Sequence, residues 1–306
     1  MAVFLFVPII LRCIVTTFGT RGSQVQILPL RPSISLILQY FLRGSDSIVR
    51  DDCEPSLAFI HEGVTLASAG TRAMTADSSG TKLRGVKACV FDAYGTLFDF
   101  AAAARGCGDI LGADVDRLTA LWRDKQLQYT WLRAVQGRHA DFWQVTGDAL
   151  DFALETLAID KPGIRDRLMT LYLKLDPFPE VVGTLEQLKT AGIQTAILSN
   201  GSPKMLDAVV KSAKLETLLD AVLSVEDVGV YKPHPKVYQL AVDRLSVPAS
   251  AISFQSSNAW DAYAASAFGM RVVWCNRYGQ RRERLPGTPD HEIKTLSELP
   301  AIVGVR

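Results

Sequence analysis

The sequence predicts an α/β fold: a doubly wound parallel sheet with a helical subdomain inserted into it. Three observations carry this. Short apolar runs alternate with segments of helical period from Lys87 onward. One long stretch between the first two runs has no strand signal. Several runs end in polar loops. Strand–helix alternation is the pattern of a parallel sheet with crossover helices.

VKACVF (86–91), QTAIL (194–198), AVLSV (221–225), AISFQ (251–255) and RVVWC (271–275) read as strands. Short, mostly apolar runs suit strands covered on both faces. Glu180 to Thr190, Pro203 to Ala213, Lys236 to Leu245 and Ala259 to Phe268 read as helices. Pro203 suits a first-turn position, and Gly192 suits a stop after Thr190 and Ala191. The insertion is Phe100 to Pro177. Within it, Arg117 to Val135 sets apolar Leu118, Leu121, Trp122, Leu127, Trp131 and Leu132 between charges, and Phe142 to Ile159 and Ile164 to Leu175 repeat the helical period. A bundle inserted just after the first strand would cap the sheet's C-terminal edge and exclude water there. A bundle that only thickens the fold or forms a dimer face would show the same pattern.

At 306 residues, two units or one domain plus an extension are expected. Hydrophobic content of 48% and charged content of 21% are ordinary for a globular protein. A net charge of +1 argues against a surface that coats nucleic acid, while leaving room for a local basic pocket. The five cysteines are odd in number and form no C-x-x-C pair, which suits a reducing, cytoplasmic compartment rather than a disulfide framework or zinc site. The four histidines lack metal-ligand spacing. Neither residue type points to a metal site.

Residues 1–83 differ from the rest, and Lys82 is the first lysine. AVFLFVPIIL (2–11) is apolar but too short to span a bilayer, and no basic segment precedes it. LASAGTRAMTADSSGT (66–81) is small and polar, as in a linker. A targeting or anchoring extension, a disordered tail and a start codon assigned too far upstream all fit. The last is preferred, because Met74 stands just before a natural domain start and the stretch around Ser23 to Pro32 resembles translated non-coding sequence. The expected domain is therefore 84–306, with a core of 84–99 and 178–306 and a cap of about 100–177.

The chemistry lies in four loops. The first follows VKACVF and carries Asp92, Tyr94, Gly95 and Thr96. The second is Leu198-Ser199-Asn200-Gly201-Ser202, the third Val230-Tyr231-Lys232-Pro233, and the fourth Gln255-Ser256-Ser257-Asn258-Ala259-Trp260-Asp261. Open parallel sheets bind ligands just beyond the C-terminal tips of their strands, so all four loops would meet at one edge. Taken singly, Asp92 is a turn residue about as often as a nucleophile, and a Ser-Asn-Gly is usually a turn. The order of the four is the informative feature.

That order resembles the haloacid dehalogenase (HAD) superfamily, with its Rossmann-like core. The resemblance extends to the L-2-haloacid dehalogenases in Asp-x-Tyr-Gly-Thr-Leu-Phe at 92–98, Leu-Trp-Arg-x-Lys-Gln-Leu-x-Tyr-Thr-Trp-Leu-Arg at 121–133, Leu-Ser-Asn-Gly-Ser at 198–202, Tyr-Lys-Pro at 231–233 and Ser-Ser-Asn-Ala-Trp-Asp at 256–261. It covers about Val86 to Leu299. It implies metal-independent hydrolysis of L-2-haloacids to D-2-hydroxyacids, with Asp92 displacing halide at C2 to form an aspartyl ester that water then cleaves. By the same resemblance Arg123 and Asn200 cradle the halide and Phe142 borders that site. Ser199 and backbone N–H groups hold the substrate carboxylate. Thr96 and Ser256 orient Asp92, and Lys232 pairs with it to favour the nucleophilic form. Asn258 and Asp261 position the hydrolytic water, with either Asp261 or Lys232 assisting its deprotonation. Tyr94, Leu127, Trp260 and Tyr238 wall the pocket or fill the core, Tyr238 with a possible hydrogen bond near Lys232. A homodimer is implied, with no nucleic-acid or membrane partner.

The rival within the superfamily is a magnesium-dependent phosphatase of small phosphomonoesters. Such enzymes resemble one another in an Asp-x-Asp whose second acid protonates the leaving group, and in acids of the fourth loop that meet magnesium. Here Tyr94 and Asn258 stand at those places. A hard divalent cation wants several oxygen ligands, and the two remaining carboxylates are few. A binding protein without turnover is a third reading. The full polar set argues against it, since buried charges are costly to keep without use.

Overall fold

The structure is a computed structural model and describes residues 82–305. Its sheet has six strands in the order β3-β2-β1-β4-β5-β6. These are β1 (Ala88–Phe91), β2 (Gln194–Ser199), β3 (Ala221–Ser224), β4 (Ile252–Ser256), β5 (Arg271–Cys275) and β6 (His291–Ile293). Every pairing is parallel, with Val90 opposite Ala196 on one side and Phe254 on the other. This is the doubly wound sheet that the alternation predicts. β1 is central and buried along its length, and burial of Val90 and Phe91 contributes about 1.5–3 kcal/mol each.

The longer helices are α1 (Val115–Gln136), α2 (Phe142–Thr156), α3 (Ile164–Tyr172), α4 (Val181–Thr190), α5 (Pro203–Ser212), α6 (Pro235–Leu245) and α7 (Ala259–Phe268). α1, α2 and α3 all belong to the insertion after β1, which holds no strand. Pro203 and Pro235 open their helices, where the missing N–H is no loss. The buried stripe of α1 runs Leu118, Trp122, Gln126, Thr130, whereas Leu132 is exposed. Its inner face thus turns polar against α2 and α3, which a reading of apolar residues alone does not anticipate.

The expected extension lies outside the described residues, save Lys82 and Leu83. Leu83 is buried, and its N–H donates to the Ile302 carbonyl at 2.8 Å, so this residue belongs to the folded body. No helix among the described residues is long and apolar enough to cross a membrane.

Candidate active site

Asp92 sits one residue beyond β1, and its N–H donates to Gln255 O of β4 at 2.8 Å. The chain then doubles back. Ala93 O accepts from the N–H groups of Thr96, Leu97 and Phe98 at 3.3, 2.9 and 3.0 Å. Gly95 permits this turn with φ +91°, a conformation strained for any side chain with a Cβ. The Asp92 carboxylate is thereby fixed at the sheet's C-terminal rim and only 6% exposed.

Three donors converge on it. Lys232 Nζ donates to Oδ1 at 3.0 Å, Asn258 Nδ2 to Oδ2 at 3.0 Å, and Thr96 Oγ1 to Oδ2 at 3.3 Å. Thr96 Oγ1 is itself held by the Ser257 N–H at 2.8 Å. Lys232 also donates to Asp261 Oδ2 at 2.9 Å, and Tyr238 OH donates to Asp261 Oδ1 at 2.7 Å. Burial works against the Lys232 ammonium, but the carboxylates of Asp261 and Asp92 outweigh it and raise its pKa. Burial pushes the Asp261 carboxyl up despite Lys232. Burial and the Asp261 charge together keep the Tyr238 hydroxyl protonated.

Asn258 occupies the N-cap position of α7, yet its side chain does not cap the helix. It faces the site instead, with Oδ1 accepting from Arg123 Nη2 at 3.2 Å. Arg123 comes from α1 of the insertion, so the cap reaches the sheet rim through this bond. Gln126, one turn on and buried, accepts from Arg123 Nη1 at 2.7 Å. Gln126 Nε2 in turn donates to Thr146 Oγ1 at 2.8 Å and to Tyr172 OH at 3.3 Å. The guanidinium lies 5.1 Å from the Phe100 ring centroid, within cation–π range.

On the β2 side, Asn200 Oδ1 accepts from the Lys232 N–H at 3.0 Å, so what Asn200 offers an anion is its Nδ2 group. Ser199 Oγ accepts from the Gly201 N–H at 3.0 Å and is fully buried. A Cβ on Gly201 would lie 2.9 Å from Tyr94 Cε2, so glycine is required for Tyr94 to pack here. Tyr94 is stacked on Tyr172 with centroids 5.2 Å apart and tilted against Phe142 at 6.2 Å. Its hydroxyl has no hydrogen-bond partner among the described residues, and burial raises its pKa far up. Burial therefore keeps it uncharged.

The structure therefore joins Asp92, Thr96, Lys232, Asn258, Asp261, Tyr238 and Arg123 in one network, with Ser199, Asn200, Tyr94 and Phe142 around it. One contact differs from the expectation. Ser256 Oγ accepts from the Asn258 N–H at 3.1 Å, which shapes the Asn258 turn, while the side-chain donors found on Asp92 among the described residues are Lys232, Asn258 and Thr96. Trp260 packs edge-on against Trp131 with centroids 5.4 Å apart and, with Tyr238 and Tyr231, lines an apolar groove of about 750 Å³. Leu127 is half-buried on α1. Gln126, Tyr172 and Thr146 were not singled out from the sequence. The available signal was a glutamine falling on the buried stripe of α1, three residues from Arg123.

Chemically, the site offers a carboxylate whose oxygens are aimed by fixed donors, with a guanidinium supplied from the cap. Such donors act without reorganising during reaction. Among the described residues no three His, Cys, Asp or Glu side chains gather as a metal set would require. Asp92 and Asp261 are bridged by the Lys232 ammonium, which stands where a cation shared by both would have to sit.

The model of the haloacid dehalogenase-like hydrolases matches residues 86–269. The chain is 46% identical to (S)-2-haloacid dehalogenase 4A of Burkholderia cepacia over 70% of this chain and 93% of that one. It is 45% identical to (S)-2-haloacid dehalogenase 1 of Pseudomonas sp. strain CBS-3, over 71% and 96%. Among solved structures, it resembles the L-2-haloacid dehalogenase of Xanthobacter autotrophicus with chloropropionic acid covalently bound. There the TM-score is 0.67 and the identity 36%, over 72% of this chain and all of that one. The fold and this site define a haloacid dehalogenase-like hydrolase. Within that class, the chain belongs to the L-2-haloacid dehalogenase family.

Proposed function

We propose that this chain hydrolyses the carbon–halogen bond of L-2-haloacids, giving D-2-hydroxyacids and halide without a metal ion. One observation carries the reading: a buried carboxylate at the sheet rim is aimed by Thr96, Lys232 and Asn258, with a neutral tyrosine and an amide where a phosphatase would need acids. An Asp92 oxygen attacks C2 from the face opposite the halogen. The C–O bond forms as the C–halogen bond breaks, and halide leaves with the bonding electrons. C2 inverts. Water then adds to the ester carbonyl carbon, losing a proton, and the bond from that carbon to the original Asp92 oxygen breaks. The 2-hydroxyacid departs with that oxygen and takes up a proton.

Arg123 and Asn200 receive the halide, and Ser199 with the N–H groups after Asp92 receives the substrate carboxylate. Asn258 orients the water. Both Asp261 oxygens are already engaged, by Lys232 and Tyr238, so Asp261 acts first by holding Lys232. Incubation with L-2-chloropropionate and excess EDTA tests the proposal. Chloride release that survives chelation is expected, and release that vanishes on chelation and returns with magnesium refutes the metal-free reading.

The same reading places the enzyme in the cytoplasm as a homodimer. Cys89, Cys107 and Cys275 are free and buried, as suits a reducing compartment. A single monomeric mass by light scattering at micromolar concentration would count against the dimer.

A further inference from the structure

We infer that Arg277 is a positioning residue, which braces the Asp92 turn against the exit of the inserted helices through the carbonyl of Thr96. The inference rests on the dehalogenase reading above. Arg277 lies in the loop after β5, a region to which the sequence motifs assign nothing. Its Nη2 donates to Thr96 O at 3.0 Å and pairs with Glu180 Oε1 at 2.5 Å. Its guanidinium carbon lies 3.9 Å from the Phe178 ring centroid. The side chain is 9% exposed, so these contacts form largely away from water, where charged hydrogen bonds are strongest. Nε has no partner among the described residues, which leaves Nη2 and the ring contact to hold the group.

The three partners come from segments that must stay in register for attack. Thr96 donates to Asp92 and anchors Ser257. Phe178 directly follows the insertion, and its N–H donates to Leu97 O at 2.9 Å. Glu180 precedes α4 and also accepts from the Leu296 N–H at 3.3 Å. Burial opposes the Glu180 charge, but hydrogen bonds from its own backbone and from Arg277 hold its carboxyl below the ordinary value. The neighbouring Tyr278 meets Phe100 edge-on at 6.5 Å, and Phe100 is the ring beneath Arg123. One loop therefore touches the turn that carries Asp92 and the ring that supports the cap arginine.

R277M keeps the aliphatic stem, R277K keeps the charge, and E180Q keeps Arg277 but weakens its anchor. Each is made in the full chain and assayed with L-2-chloropropionate for single-turnover chloride release, kcat, KM and Tm. R277M is expected to lower the single-turnover rate and kcat together by about 10- to 100-fold, since small misplacements of a reacting group act at this scale. KM is free to rise as well, because the N–H groups that receive the substrate carboxylate lie on the same turn, and R277K should recover part of the rate. Wild-type kcat in a folded R277M, or a change confined to Tm or KM, overturns the inference. Should R277M not fold, R277K and E180Q decide on the same criteria. A wild-type chain that releases no halide sinks the dehalogenase reading first, and this inference with it.

Discussion

Replacing Lys232 by methionine tests the electrostatic centre of the site. The ammonium is 1% exposed and lies 3.0 Å from one carboxylate and 2.9 Å from the other. At an effective dielectric of about 20, each contact is worth roughly 5–6 kcal/mol by Coulomb's law. Removing the ammonium from water offsets much of that gain, and losing one partner of a buried ion pair typically costs about 3–5 kcal/mol. K232M preserves chain length and apolar volume, so the expected loss reports charge rather than a cavity. For a domain of this size it amounts to a fall in Tm of roughly 6–20 °C.

The sign of the pH dependence is fixed by the same geometry. In the wild type Lys232 has a raised pKa, so its contribution is complete below the unfolded value of about 10.4 and is lost only as pH rises through the higher folded value. In K232M two buried carboxylates face each other with no cation between them, and one takes a proton. Asp261, already pushed up by burial, loses the group that opposed that shift. Its folded pKa rises further above the unfolded value of about 3.9, so the variant gains stability as pH falls through that raised value toward 3.9. Thermal melts at pH 5 and pH 8 should show K232M closer to the wild type at pH 5, with chloride release lost at both. A K232M protein as stable as the wild type at pH 8, with no difference between the two pH values, would refute the claim that this ammonium balances two charges.

D92N should keep its fold and lose chloride release, since an amide oxygen does not displace halide; retained release excludes Asp92 as the attacking group. Single turnover in heavy-oxygen water should leave the label in Asp92, and label in the product alone would show direct attack by water. Q126L should lower kcat/KM about 10- to 100-fold by freeing Arg123 from its buried acceptor, the scale of a hydrogen bond to a charged group, and an unchanged value would show that Arg123 needs no such anchor. A chain beginning at Met74 should match the full chain in folding and activity, because similarity to the family begins at residue 86; a soluble but inactive product would give the preceding residues a role.

Much of the fold was legible because the sheet interior demands it. β5 reads directly from Arg271 to Cys275, and β1, β2, β3 and β4 shift by two residues or fewer at their ends. β6, His291–Ile293, left no trace, being three residues long with a polar start at the sheet's edge. Within the site, residues that end strands were legible because topology alone brings them together. The contact of Ser256 with the Asn258 N–H was not legible, since a serine readily bonds a backbone N–H two residues on. Gln126 and Arg277 were not legible: each works through a partner whose position depends on tertiary packing, and Arg277 lies 181 residues from Thr96.

The formal charges of the site explain why the cap must supply an arginine. Asp92 and Asp261 contribute −2 and Lys232 +1, so this buried trio alone carries −1 and would repel an anionic haloacid. Arg123, joined to the rim through Asn258, brings the sum to zero before substrate arrives. The helix N-cap is given up for this bond. Asn258 leaves α7 uncapped so that one amide can donate to the Asp92 carboxylate and accept from the cap arginine. A carboxylate at this position would instead add a negative charge beside Asp92 and would offer Asp92 no N–H donor. The amide thus accounts at once for charge neutrality, for the aim of Asp92 and for the link between cap and sheet.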